Sequence, residues 1–207
     1  VYIGRIAEEK SIDLLIDMFS KIKDENFKFM IVGRGRILDD LKKQAEDLGI
    51  SDRVIFTGEV PHDKVAAYYQ MGDVFLNASI SETQGLTFVE AMAAKTPVVA
   101  RYDLNLEDLL VKNEAGLVYK TEEEFINSIM LLKEDKEFRE KIIENAFAAS
   151  QDYTAQKFGE RVEEVYKKTI EEYDSRESFT IFRGEKFLQQ IRRWTSLKSS
   201  GRSPWSK

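Results

Sequence analysis

The residues best able to do chemistry lie in one stretch, Ser79-Ile80-Ser81-Glu82-Thr83-Gln84-Gly85-Leu86-Thr87-Phe88-Val89-Glu90-Ala91-Met92-Ala93-Ala94. Glu82 and Glu90 are separated by seven residues, the first in a loop and the second about one turn inside the helix expected to begin near Gly85. Such a helix start aims the unbonded amides of Gly85, Leu86 and Thr87 at an anion, because its first N–H groups have no intrahelical acceptor. A pyrophosphate suits that position. Glu90 can then accept both hydroxyls of a ribose diol, while Glu82 reaches the far side of the phosphates, where a sugar would lie. The same residues also fit a capping carboxylate and a solvated helix glutamate, and spacing alone does not separate the two.

Three earlier segments each follow an apolar run. In Gly4-Arg5-Ile6-Ala7-Glu8-Glu9-Lys10, two cations stand five residues apart. Together Arg5 and Lys10 can neutralise a diphosphate, one as a fork of donors and the other as a point charge. They can equally be surface cations paired with Glu8 and Glu9. Val32-Gly33-Arg34-Gly35-Arg36 resembles part of a dinucleotide fingerprint, but the third glycine would fall at Leu38 and no acidic residue ends the following strand as required. A nicotinamide or flavin site is therefore not expected, and Gly33 reads as a turn residue lining a cleft. Phe56-Thr57-Gly58-Glu59-Val60-Pro61 can offer backbone groups to a base edge, and by itself is equally an ordinary strand-to-helix turn.

Positioning these segments requires a regular scaffold. Short apolar runs at Val1–Gly4, Phe27–Val32, Arg53–Thr57, Val74–Asn77, Pro97–Ala100 and Gly116–Tyr119 read as strands. Between them, Ser11–Lys23, Ile37–Leu48, a stretch after Pro61 and a stretch near Gly85 read as helices, with Ser11 as an N-cap and Pro61 in a first turn. Such alternation predicts an α/β fold, a doubly wound parallel sheet of Rossmann-like form. From Thr121 to Tyr173 three helices follow in succession, the first opened by a Thr121/Glu124 capping box. A domain boundary is expected near Ser175, giving a binding domain over 1–175 and a basic, aromatic-containing tail over 176–207.

The chain has 207 residues, of which 43% are hydrophobic and 33% charged, enough for one substantial core. With no cysteine and only His62 as histidine, disulfides, thiolate metal sites and histidine-rich metal sites are excluded. Cysteine absence suits a reducing cytoplasm. No apolar run approaches the roughly 20 residues of a membrane-spanning helix. The chain opens on Val1 within a strand, so the natural amino end is expected to lie upstream. The net charge of −6 divides into +6 over residues 176–207 and −12 over the rest. The acidic body argues against nucleic acid as the main partner.

Gly4-Arg5 followed by Glu9-Lys10, Ile31-Val32-Gly33-x-Gly35, Phe56-x-Gly58, and Ser81-Glu82-x-x-Gly85-Leu86 through Glu90-Ala91-Met92-Ala93 to Pro97-Val98-Val99-Ala100 together resemble the group 1 glycosyltransferases of the GT-B fold. The resemblance covers about Val1 to Tyr173. It implies the carboxyl-terminal half of a retaining hexosyltransferase, with its amino-terminal acceptor domain outside this chain. It also implies roles: Arg5 and Lys10 on the diphosphate, Glu82 on the donor sugar as the catalytic position, Glu90 on the ribose, and Gly33, Gly58, Gly85, Leu86 and Thr87 around the donor. The wording Ser81 to Met92 is similar to bacterial diacylglycerol glucosyltransferases, which implies UDP-glucose as donor and a lipid acceptor. No cofactor beyond the nucleotide sugar is implied, and without a D-x-D sequence a metal-clamped donor is not indicated.

This chain has Lys95 where the family usually has Gly. In the tail, Phe187, Leu188, Ile191 and Trp194 form an apolar stripe beside Lys186, Arg192, Arg193 and Lys198. That pattern suits either an anionic membrane surface or docking on the absent acceptor domain. The expected location is cytoplasmic, peripheral at the inner face of the plasma membrane. A nucleotide-sugar epimerase of related fold and a non-catalytic nucleotide-binding module remain the alternatives.

Overall fold

The computed structural model describes residues 1–79 and 85–173. They form two units, Val1–Thr154 and a second beginning at Ala155. In the first unit the strands are β1 (Tyr2–Ile3), β2 (Phe29–Val32), β3 (Val54–Gly58), β4 (Phe75–Asn77), β5 (Val98–Arg101) and β6 (Leu117–Tyr119). The helices are α1 (Ile12–Ser20), α2 (Leu38–Asp47), α3 (Val65–Met71), α4 (Leu86–Ala93), α5 (Glu122–Glu134) and α6 (Lys136–Ser150).

All strand pairs are parallel, in two ladders of order β1-β2-β3 and β4-β5-β6. Val1 joins the ladders. Its nitrogen donates to the Val74 carbonyl at 2.6 Å and its carbonyl accepts from the Leu76 amide at 2.8 Å, the bonding pattern of parallel neighbours. β1 therefore lies beside β4, and the six strands run 3-2-1-4-5-6, the order whose reversal falls between β1 and β4. The expected doubly wound parallel sheet is what the chain forms.

Strand side chains alternate between two cores. Tyr2, Phe29, Ile31, Leu76 and Val99 face a cluster with Ile12, Leu15 and Ile16 of α1, Leu41 of α2 and Phe125 of α5. Ile3, Val32, Phe75, Val98 and Ala100 face the other, with Tyr69 of α3, Phe88 of α4 and Ala146 of α6. Both faces of the sheet are thus covered, which explains why its strands read as continuous apolar runs.

Helix ends follow local chemistry. Thr121 and Glu124 form the expected capping box at α5. At the end of α2, Gly49 (φ 69°) donates to Glu46 and Ile50 to Ala45, a Schellman motif. The end of α4 repeats it, Lys95 to Met92 and Thr96 to Ala91, with Lys95 in the left-handed conformation at φ 62°. Two expectations need correction. Ser11 occupies the N-cap position of α1, but at φ 46° it makes no side-chain cap bond. Pro61 precedes a short 3₁₀ turn, His62–Lys64, and α3 itself starts at Val65. A 3₁₀ turn and π-helical segment over Leu104–Leu106 and Glu107–Val111 were not anticipated.

The second unit contains a helix over 155–173, α7, although the boundary expected from composition lay near Ser175. Phe158, Val165, Tyr166, Ile170 and Tyr173 are exposed along it. The tail assigned to 176–207 lies outside the described residues, as does Glu82. Among the described residues no helix is long and apolar enough to cross a membrane.

Candidate functional site

The segment after β1 is held against the turn after β2 by backbone hydrogen bonds. Gly4 donates to Val32 at 3.0 Å, Ile6 to Arg34 at 2.9 Å, and Gly33 in turn to Gly58 at 2.9 Å. Glycine is required for this approach. A Cβ on Gly33 (φ 143°) would lie 1.9 Å from the Gly4 carbonyl oxygen, and one on Gly35 would lie 1.6 Å from that of Ile6. The Tyr2 hydroxyl fixes the loop further, donating to the Arg5 carbonyl at 2.7 Å. Gly58 has a different reason for being glycine: at φ 77° it ends β3 where the register to β2 shifts, and among the described residues nothing beyond its own chain neighbours lies within 4 Å of a Cβ built there.

Beyond these strand ends opens a cleft of about 1090 Å³, lined among others by Arg5, Glu9, Gly33, Arg34, Glu59 and Val65. Two ion pairs span its rim, Arg5 to Glu9 at 3.1 Å and Arg34 to Glu59 at 2.8 Å. Both arginine side chains are 78% exposed, so each pair is worth at most about 1 kcal/mol and can exchange for an arriving anion. Lys10 ends the 3₁₀ turn Glu8–Lys10, half-buried.

On the other side of the β1/β4 seam, Asn77 ends β4 and accepts the Ser79 amide on its side-chain oxygen at 2.8 Å, an Asx turn that redirects the chain. Tyr119 donates to the Asn77 carbonyl at 3.2 Å. The Ser79 hydroxyl is buried and has no hydrogen-bond partner among the described residues. Gly85, buried and left-handed at φ 61°, then opens α4 in place of a side-chain cap. Leu86 is exposed and Thr87 half-buried at that helix start.

Glu90 is exposed one turn further in, and its Oε2 accepts a hydrogen bond from the Tyr69 hydroxyl at 3.0 Å. Tyr69 is completely buried, and the Thr96 hydroxyl donates to its carbonyl at 2.8 Å. Burial first, then the Glu90 carboxylate, pushes the Tyr69 phenol above its ordinary range, so it stays a donor.

The structure therefore brings Arg5 and Gly33 to one cleft, with Glu59 beyond Gly58. It carries Gly85, Leu86, Thr87 and Glu90 together on α4, and neither they nor Lys10 line that cleft. Sequence reasoning missed Tyr69, Thr96 and the Arg34–Glu59 pair. Tyr69 looked like any core aromatic of an amphipathic helix, and its partner is 21 residues away. Among the described residues no group of three or more His, Asp or Glu side chains gathers to hold a metal.

A doubly wound sheet whose order reverses between β1 and β4, with the polar segments following those two strands, defines an α/β domain of the Rossmann class. The chain belongs to the group 1 glycosyl transferases, whose family pattern it matches over residues 1–149. It is 35% identical over 172 residues to the alpha-monoglucosyldiacylglycerol synthase of Streptococcus pneumoniae, covering 81% of this chain and 38% of that protein. It is 32% identical over 173 residues to the enzyme of the same name from Acholeplasma laidlawii, covering 83% and 44%. The chain thus spans less than half the length of these two relatives. Among solved structures, Anabaena Alr3699/HepE in complex with UDP shares the fold, with a TM-score of 0.74 at 24% identity over 81% of this chain and 48% of that one. The C-terminal domain of LpcC, a Francisella tularensis group 1 family protein, aligns with a TM-score of 0.65 at 24% identity over 74% of this chain and 85% of that domain.

Proposed function

We propose that this chain is the donor-binding half of a retaining hexosyltransferase that moves glucose from UDP-glucose to a diacylglycerol-type lipid. The observation that carries the proposal is the identity to two alpha-monoglucosyldiacylglycerol synthases over four-fifths of the chain. Structures of the same fold in complex with UDP and glucose support the donor.

In this reading the diphosphate lies at the β1/β4 reversal, met by Arg5 and Lys10 from one side and by the amides of Leu86 and Thr87 from the other. Gly85 lets the chain enter α4 without a side chain over the phosphates, Gly33 lines the cleft, and Gly58 ends β3 just before the cleft residue Glu59. Glu90 accepts the ribose hydroxyls. Glu82 holds hydroxyls of the donor sugar and is the catalytic position. As the bond from the anomeric carbon to the β-phosphate oxygen breaks, negative charge grows on UDP. In this reading the two cations and the helix start meet that oxygen as the charge grows and so stabilise the leaving group more than the ground state. No metal clamp is invoked.

The acceptor is held by the remainder of the longer protein, and the +6 tail brings the enzyme to an anionic membrane face. Transfer requires acceptor and donor to be positioned together, an advantage that reaches on the order of 7–11 kcal/mol.

Calorimetric titration with UDP, GDP, ADP and their glucose conjugates, with and without EDTA, tests the donor. UDP and UDP-glucose should bind in preference, unaffected by chelation. The full-length protein with labelled UDP-glucose and diacylglycerol vesicles tests transfer, with an α-glucolipid as the expected product. Free UDP-galactose as the product would mean an epimerase, and binding without any product a non-catalytic module.

A further inference from the structure

We propose that Tyr69 is a positioning residue for nucleotide recognition: its buried hydroxyl sets the Glu90 carboxylate in the rotamer that receives a ribose diol. The inference rests on the reading of Glu90 given above and adds a residue to it.

The geometry is specific. Glu90 lies on the exposed side of α4, where a glutamate side chain ordinarily samples many rotamers and loses that freedom on binding a ligand. Here Oε2 is held at 3.0 Å by a phenol that cannot move. The Tyr69 ring packs edge-on against Phe75 with centroids 5.3 Å apart, and Phe75 against Phe88 of α4 at 5.9 Å. The Tyr69 carbonyl accepts from both Thr96 Oγ1 at 2.8 Å and the Gly72 amide at 3.0 Å. Every other part of Tyr69 is thus occupied by packing or backbone bonds, and its only polar side-chain atom is directed to the solvent-facing carboxylate. One Glu90 oxygen is tied down, and Oε1 together with the second lone pair of Oε2 stays available to hydroxyl donors.

Preorganisation of this kind lowers the entropy lost on binding and improves affinity without touching the ligand. A merely structural hydrogen bond would change stability alone. Tyr69→Phe removes one oxygen, keeps the ring contacts with Phe75 and leaves the backbone bonds intact, so the variant retains the fold, verified by circular dichroism melting.

The test compares UDP with 2′,3′-dideoxy-UDP by calorimetry in the wild-type chain, Tyr69→Phe, Glu90→Ala and the double variant. Tyr69→Phe should weaken UDP roughly three- to tenfold, the range of one lost hydrogen bond's worth of positioning, and leave the dideoxy ligand unchanged. In the Glu90→Ala background, where the hydroxyl has no side-chain acceptor left to position, the same change should add nothing. Undiminished discrimination between the two ligands in Tyr69→Phe, or an equal loss for both, would overturn the inference. A wild-type chain that does not discriminate them would instead overturn the assignment of Glu90 to the ribose.

Discussion

The Ile6 amide donates to the Arg34 carbonyl at 2.9 Å, and a Cβ on Gly35 would lie 1.6 Å from the carbonyl of that same Ile6. The glycines of Val32-Gly33-Arg34-Gly35 are thus contact surfaces for the segment that carries Arg5. Alanine at Gly35 must push two backbone segments apart. Gly35→Ala and Gly33→Ala should each cost about 2–4 kcal/mol, read as a lower urea midpoint. Midpoints equal to wild type would show that the loop after β1 yields freely.

Lys95 is held left-handed at φ 62°, a conformation that costs a non-glycine residue roughly 1–2 kcal/mol. Its ammonium also lies 4.9 Å from the centre of the Phe147 ring, which returns about 0.5–1 kcal/mol. Lys95→Ala keeps the strain and loses the ring contact, so it should destabilise by about that amount. Lys95→Gly removes both and should exceed the alanine variant by about 1 kcal/mol in chemical denaturation. Equal stability of the two variants would contradict the backbone assignment at the end of α4.

Arg5→Ala and Lys10→Ala should each weaken UDP roughly tenfold or more, as expected for one charge-assisted hydrogen bond, and leave uridine unaffected. The Arg5 variant should melt close to wild type, because the exposed pair with Glu9 contributes little. Calorimetry with UDP and uridine measures both. Unchanged UDP affinity in the two variants would remove the diphosphate from this loop.

Asp24 and Lys133 fasten α5 to the turn before β2 through a 2.5 Å contact. The hydrogen bond from Lys133, then that from the Asn26 amide, lowers the Asp24 pKa from 3.8 to about 2. A depressed carboxylate stabilises the fold above its unfolded pKa, and that contribution disappears as pH falls from about 4 through 2. Carbon-detected NMR titration should place Asp24 near 2 and return it toward the ordinary range in Lys133→Met. A wild-type midpoint near 4 would show the contact to be unoccupied in solution.

Much of this arrangement was legible from residue types. The six strands announced themselves as apolar runs because both faces of the sheet are buried, and Gly85 marked the start of α4 because a left-handed entry needs glycine. The Thr121/Glu124 box is local, and local chemistry reads well. What escaped was either long-range or conformationally irregular. No spacing rule links Tyr69 to Glu90, since the contact depends on how α3 packs beside α4. Leu104 to Val111 mixes 3₁₀ and π geometry, so its apolar residues follow no single helical period. Ser11 has the chemistry of a cap, but the 3₁₀ turn before it sets φ at 46° and it makes no side-chain cap bond. The close approach of Gly35 to Ile6 is invisible until two loops are placed side by side.

Tyr69 meets α4 at two levels, through its hydroxyl at Glu90 and through its carbonyl at Thr96 just beyond the helix end. One residue inserted between Val65 and Tyr69 would rotate the phenol about 100° around the helix axis and break both attachments at once. The length of α3 is therefore fixed by its neighbour, although most of its surface faces solvent. Insertions and deletions between homologous chains belong in the turn over 59–64, where the exposed backbone can take up a change of length without rotating α3.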